Sequence, residues 1–477
     1  MKHEHPVPMV EHTGHTSVPP TVAAVTEKGH KEARSSKADT PMTHGQSTPW
    51  PHFANMVLGL WLITGVFALE LHSPALEVSD VASGALVIVL SVLSLGRWEW
   101  FKFWSPWANA LVGVWLLLAP LIFWAPTSSS YTTDTLIGAL VVVFSILAPG
   151  MPMPAGMSMT TGPDVPHGWS YNPSSWPQRA PIIALALVGF FLSRQMAAFE
   201  LHHITSLADP IFGNGTETVL TSKVSRSFPI PDAGLGALAY MIEFLMGFMG
   251  DKRRWRTMPW MVTFFGILVV PLGVVSIGLI ILQPLAVGAW CTPCLIAAAA
   301  MLIMISLTLD EVVATIQFLV QARREGQPFW QVFWMGGALH KSPEVATVSV
   351  HRDVVSPAAM VWGVTLPWNL LVSVALGLWL MFAPASFGSI GPAAHSDHLV
   401  GALIVTAAVI ALADVGRSVR FINVIFGAWV MVAPWLLAGD EGSARWNDLT
   451  VGALVILLSF PRGKIGERYG NYERFIR

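Results

Sequence analysis

Charge is scarce in this sequence. Only 12% of its 477 residues are Asp, Glu, Lys or Arg, about half the share of a soluble domain. That shortage excludes an ordinary water-soluble fold. A formal net charge of −2 leaves no basic face, so no nucleic-acid partner is expected. Cysteine is scarcer still. Two residues cannot build a disulfide-dense scaffold, and a zinc site would need two further ligands.

Apolar length takes the place of charge. Hydrophobic residues make up 53% of the chain, and the 21 Trp tend to fall near the ends of long apolar runs, the aromatic-belt pattern of membrane proteins. About twelve runs approach or meet the roughly 20 residues needed to cross a hydrocarbon core of about 30 Å. In lipid, backbone groups are satisfied only in helices or closed barrels, and these runs are too long and continuous for barrel strands. The expected fold is an all-α polytopic membrane protein of about twelve transmembrane helices in three four-helix blocks.

Residues 1–47 are polar, with six His (His3, His5, His12, His15, His30 and His44), and read as a disordered cytoplasmic tail rather than a signal peptide. The histidines lack a fixed spacing, so a solvated tail is the reading over a metal site. With that tail inside, the even-numbered loops hold Arg97, Lys102, Arg179, Lys252, Arg253, Arg254, Arg256, Arg323, Arg324, Lys341, Arg352, Arg417 and Arg420. The opposite loops hold only Lys223, Arg226 and Arg445. The positive-inside rule then predicts a cell (inner) membrane protein with both termini cytoplasmic.

One unit occurs four times. Its first helix carries Asn-x3-Gly-x-Trp at Asn55–Gly59–Trp61, Asn109–Gly113–Trp115 and Asn423–Gly427–Trp429, with Ser373 replacing Asn before Gly377 and Trp379. Its second begins Asp-x3-Gly-Ala-Leu at Asp80, Asp134, Asp397 and Asp448. Pro-Trp precedes three copies, at Pro49-Trp50, Pro106-Trp107 and Pro367-Trp368. The physics predicts a helical hairpin: Pro in a first turn, Trp at the headgroups, Gly for close approach and Asp as an N-cap. With Ser105 before Pro106-Trp107, the unit resembles the SPW-repeat membrane module, which implies architecture rather than mechanism.

The expected order is therefore the tail 1–47, a repeat block 48–150, a Met/Pro-rich linker 151–177, a different four-helix bundle 178–322, a cytoplasmic linker 323–357, a second repeat block 358–461 and a basic tail 462–477. The linker includes Met151, Met153, Met157 and Met159. Thioethers suit Cu(I), but the Pro/Gly content reads as a flexible connection. Helices in the central bundle are expected at about 180–199, 232–250, 258–284 and 288–308, with a long outer segment over 200–231.

Both cysteines fall in that bundle, as Cys291-Thr292-Pro293-Cys294. A C-x-x-C opening a helix invites redox chemistry, because free N–H groups and the helix dipole favour a thiolate there. The orientation puts it on the non-cytoplasmic side, where disulfides persist. The alternative is a buried, inert pair.

The stretch Val219-Leu220-Thr221-Ser222, then Phe228-Pro229-Ile230-Pro231, Gly236 and Tyr240, ahead of the C-x-x-C, resembles the bacterial branch of the vitamin K epoxide reductase family. The resemblance implies a quinone (menaquinone or ubiquinone) as co-substrate, Cys294 as the quinone-facing thiol and Cys291 as the exchange thiol. It implies Ser222 and Asp232 as quinone-binding positions, for which ordinary loop and N-cap roles remain the alternative. The family's loop cysteine pair is absent: Thr216 stands where its second member would align, and Ala298 stands where vertebrate members carry Tyr. A separate extracytoplasmic thioredoxin-fold thiol protein is then the implied partner, besides lipid and quinone. His202 and His203 lie near the proposed site, as interface residues or proton-exchange aids. The expected function is a membrane thiol–disulfide oxidoreductase that supports disulfide formation outside the cytoplasm. The alternative is a non-catalytic membrane scaffold or carrier with a vestigial pair.

Overall fold

The computed structural model describes residues 50–68, 73–147, 163–339, 357–439 and 442–476. The histidine-bearing tail and the stretch from Met151 to Met159 lie outside these residues. Helices dominate, and among the described residues only isolated bridges represent β-structure. The first block comprises α1 (Trp50–Ala68), α2 (Pro74–Leu95), α3 (Glu99–Ile122) and α4 (Ser128–Leu147). The central bundle comprises α5 (Trp176–Glu200), α6 (Asp232–Phe248), α7 (Pro259–Leu282) and α8 (Thr292–Arg324). The last block comprises α9 (Trp368–Phe387), α10 (Gly391–Ile410), α11 (Ile422–Leu436) and α12 (Ser443–Ser459).

Among the described residues, nine helices are long and apolar enough to cross a membrane. α1, α6 and α12 are not among them, and the last two have 17 residues each. Length and composition thus identify nine of the roughly twelve expected spans among the described residues. Val57, Leu111, Val274, Ile425 and Leu457 are exposed on helix faces, and such apolar surface is what lipid covers.

The repeat works by backbone contact. Gly59 meets Gly84, Gly113 meets Gly138, Gly377 meets Gly401, and Gly427 meets Gly452. A Cβ on any of them would stand 2.5–2.9 Å from the partner's carbonyl oxygen. Polar bonds then join the two hairpins of a block. Asn55 donates to Ser145 at 3.1 Å, and Asn109 donates to Ser91 at 3.0 Å. The Trp115 indole donates to Ser79 at 3.0 Å, Trp379 to Asn447 at 2.9 Å, and Trp429 to Ser396 at 3.0 Å. Each of these acceptors immediately precedes a repeat Asp in the opposite hairpin.

Two expectations for the repeat are corrected. The Asp is not an N-cap: Asp80, Asp134, Asp397 and Asp448 are buried in the second turn of their helices. The preceding polar residues already belong to the helix, and α2 starts from Ser73 with Pro74 in its first turn. Pro106 lies inside α3, which begins at Glu99, whereas Pro367 does stand at the start of α9.

The last helix of the central bundle also differs from expectation. α8 runs for 33 residues, about 50 Å at 1.5 Å per residue, instead of ending near 308. Asp310 and Glu311 resemble an end but are buried and paired. Tyr171 donates to Asp310 at 2.5 Å, and Arg254 grips both oxygens of Glu311 at 2.5 and 2.6 Å. Below them Phe318 joins Trp169, Tyr171, Trp255 and Tyr469 in a buried cluster. Both repeat blocks pack on the cysteine end of the bundle. Leu76, Leu121 and Tyr131 cluster with Met196, Ala233 and Cys291, while Met381 and Ala402 cluster with Ile280 and Ala298.

Candidate functional site

α7 ends in a π turn, Gln283–Val287, and Gly288 then takes φ +73° to reverse the chain. That turn delivers Cys291 to the N-cap of α8, with Pro293 in the first turn, where its missing N–H costs nothing. Cys291 and Cys294 form a disulfide with Cα atoms 5.3 Å apart. The Cys294 amide donates to Cys291 Sγ at 3.2 Å, and the Cys291 amide donates to Gln283 Oε1 at 3.0 Å.

The two sulfurs face different surroundings. Cys291 is 0% exposed and sits in an apolar cluster with Leu201, Leu207 and Leu220. Cys294 is half-buried, with its Sγ 3.6 Å from Met196 Sδ. It lines a cavity of ≈ 120 Å³ between α5, α6, α7, α8 and the 219–225 segment. Ser222 and Asp232 line the same cavity, as do Val219, Leu220, Gly236 and Tyr240. Thus Cys294, Ser222 and Asp232, nominated from separate parts of the sequence, meet at one space. Cys291 does not line it.

The cover over Cys291 is held by a carboxylate. Asp209 Oδ2 accepts from the Thr292 amide at 3.0 Å and from the Thr216 hydroxyl at 2.7 Å. Its Oδ1 accepts from the Thr292 hydroxyl and from the amides of Ile211 (3.1 Å) and Phe212 (2.9 Å). Burial pushes its pKa up, but the bonds from Thr216, Thr292 and Phe212 outweigh it and hold the carboxyl below the usual range. Thr216 is itself fully buried. Thr216, where the resemblance implied a cysteine, therefore helps to seat the loop.

Other polar groups were not legible as site residues. Ser225 and Gln283 line the cavity, and Glu200 lies one hydrogen bond behind it through Ser225. A Glu closing one apolar helix and a Gln closing another were the available signals, since polar groups at such depth need partners. Tyr240 donates to the Ala297 carbonyl at 2.7 Å across the cavity wall. His203 is engaged with the Ala125 carbonyl at 2.8 Å, and His202 is exposed with φ +61°. Among the described residues no group of three His, Cys, Asp or Glu could hold a metal ion.

No curated protein and no solved structure matches the chain. The SPW repeat domain model matches residues 49–148 and 367–461. Residues 180–309 match the model of the Vitamin K epoxide reductase family, so this multi-pass membrane protein carries, between two SPW repeat blocks, a domain of an oxidoreductase family.

Proposed function

We propose that the protein is a membrane thiol–disulfide oxidoreductase that couples Cys291 and Cys294 to a membrane quinone, in support of disulfide formation outside the cytoplasm. The observation that carries this reading is the shared cavity, in which Cys294 faces Ser222 and Asp232. Its volume of ≈ 120 Å³ is on the scale of the roughly 150 Å³ cavity that takes benzene, enough for one ring. Leu279, Ile280, Leu282 and Ala297 offer the apolar wall, while Ser222 and Asp232 offer polar contacts to ring oxygens.

The chemistry balances without a further reagent. Two thiols lose two protons and two electrons as the S–S bond forms, and the quinone takes both to become a quinol. The disulfide then oxidises a separate extracytoplasmic thioredoxin-fold dithiol by exchange, which restores the two thiols. Exchange at Cys291 requires the Asp209-held loop to lift, because that sulfur is covered.

Complete burial of Cys291 favours a second reading, a scaffold with a vestigial pair. Purified protein, reduced and then mixed with a ubiquinone or menaquinone analogue, separates the two. Quinol formation that stops in both C291A and C294A supports the oxidoreductase. Quinol formation that neither substitution alters, or none in the unaltered protein, leaves the scaffold.

A further inference from the structure

Beside the cavity two carboxyl groups compete for the same donors. The Ser225 hydroxyl lies 2.9 Å from Glu200 Oε1 and 2.9 Å from Asp232 Oδ1. The Ala233 amide lies 3.1 Å from Glu200 Oε2 and 3.0 Å from Asp232 Oδ1. A hydroxyl carries one hydrogen, so it serves only one of two ionised carboxylates. Among the described residues neither acid makes an ion pair with Lys or Arg. Two bare carboxylates in this position repel each other. A single proton between them removes the repulsion and lets Ser225 donate to one acid while it accepts from the other.

We infer that Glu200 and Asp232 hold one proton in common and relay it between the dithiol and the cavity. The inference rests on the quinone reading above. Oxidation of the dithiol breaks two S–H bonds, so protons must leave sulfur as electrons do. Cys294 and Asp232 line one cavity, which gives those protons a path to a carboxylate. Asp232 is the member able to touch a ring oxygen there. Glu200 is a positioning residue: it stands behind Asp232 and shares the proton with it through Ser225 until Asp232 delivers that proton to the ring oxygen. Each proton passed to the quinone is replaced by one from a thiol, so the pair ends the cycle as it began. Of the other titratable groups, Tyr131 of α4 faces Glu200 and Tyr240 lines the cavity with Asp232; Arg194 of α5 lies over the Tyr131 ring, and Arg226, next to Ser225 in sequence, is exposed.

The test needs one measurement without quinone and one with it. Infrared spectra of the resting protein in bilayers report protonated carboxyl groups. Glu200→Gln should remove one protonated-carboxyl band, and Asp232→Asn should shift it, because the proton is shared across Ser225. Two independent groups would leave the band unshifted in Asp232→Asn, and that result overturns the relay. In the second measurement Glu200→Gln should slow quinone reduction by the reduced protein about a hundredfold. Reduction of its disulfide by dithiothreitol should be unchanged, and Glu200→Asp should restore the rate and the band. An unaltered protein that reduces no quinone overturns the function on which the relay depends. An active protein that Glu200→Gln matches in rate and spectrum overturns the relay alone.

Discussion

Asp209 and Thr292 are joined twice, through the Thr292 amide at 3.0 Å and through its hydroxyl. Thr292 directly follows Cys291, so the bond fastens the loop over the buried sulfur at its own helix start.

Removing that carboxylate should expose Cys291. Each charge-assisted bond contributes about 1.5–3 kcal/mol, so D209A should speed disulfide reduction by dithiothreitol at least about tenfold, followed by maleimide capture. An unchanged rate would show that the loop does not guard the sulfur. The sign with pH follows from the depressed pKa of Asp209. Its stabilisation is fully present above the ordinary carboxylate pKa of about 4 and is lost as pH falls through the lower native value. Between pH 5 and pH 8 the latch should therefore hold without change, and acid alone should open it.

Filling the cavity should separate quinone chemistry from thiol chemistry. Ala298 lines the space with Cys294. A298L adds volume there, at an overpacking cost of about 1–3 kcal/mol. Quinone reduction should fall at least about tenfold, while dithiothreitol still reduces the disulfide. Equal loss of both would point to unfolding instead.

At the opposite end of the bundle, Arg254 and Glu311 are both buried, and their two bonds leave neither charge alone. E311A should cost about 3–5 kcal/mol, because it strands the guanidinium. The double change R254M/E311L should recover most of the loss. Thermal unfolding in detergent compares the three. A double variant as unstable as E311A would mean that the charges themselves, rather than their balance, are required.

The glycine contacts make a prediction that can be repeated four times. In G113A the new methyl would stand 2.7 Å from the Gly138 carbonyl oxygen, so the hairpin must spread, at about 1–3 kcal/mol. G59A, G377A and G427A should behave alike in the same unfolding assay. One silent member would mark a hairpin whose helices can part freely.

Much of this was legible in the sequence. Long apolar runs gave the helices, and repeated Gly spacing located the crossings because only a bare backbone permits such approach. The cysteine spacing led to the start of α8, and Ser222 and Asp232 fell at the cavity that Cys294 lines. The misses have a common cause. The last bundle helix was expected to stop near 308, just short of Asp310 and Glu311, because their partners, Tyr171 and Arg254, come from distant segments. Asp80 looked like a cap because the polar residues before it hide a helical turn. Asp209 gave no sign because its role exists only once the loop folds back on the bundle, and Glu200 showed only as a carboxylate closing an apolar helix. Local pattern shows what a residue prefers, whereas burial with a remote partner appears only in three dimensions.

The exchange of bonds within the first block reaches beyond this chain. Asn55 binds Ser145 while Asn109 binds Ser91, so each hairpin gives one amide and receives one. A single hairpin thus holds both halves of the pairing, and two identical copies could satisfy each other about a twofold axis as a homodimer does. Residues 50–95 carry both Asn55 and Ser91, the donor and the acceptor, and the four-helix block is in effect such a dimer with its two members written in tandem.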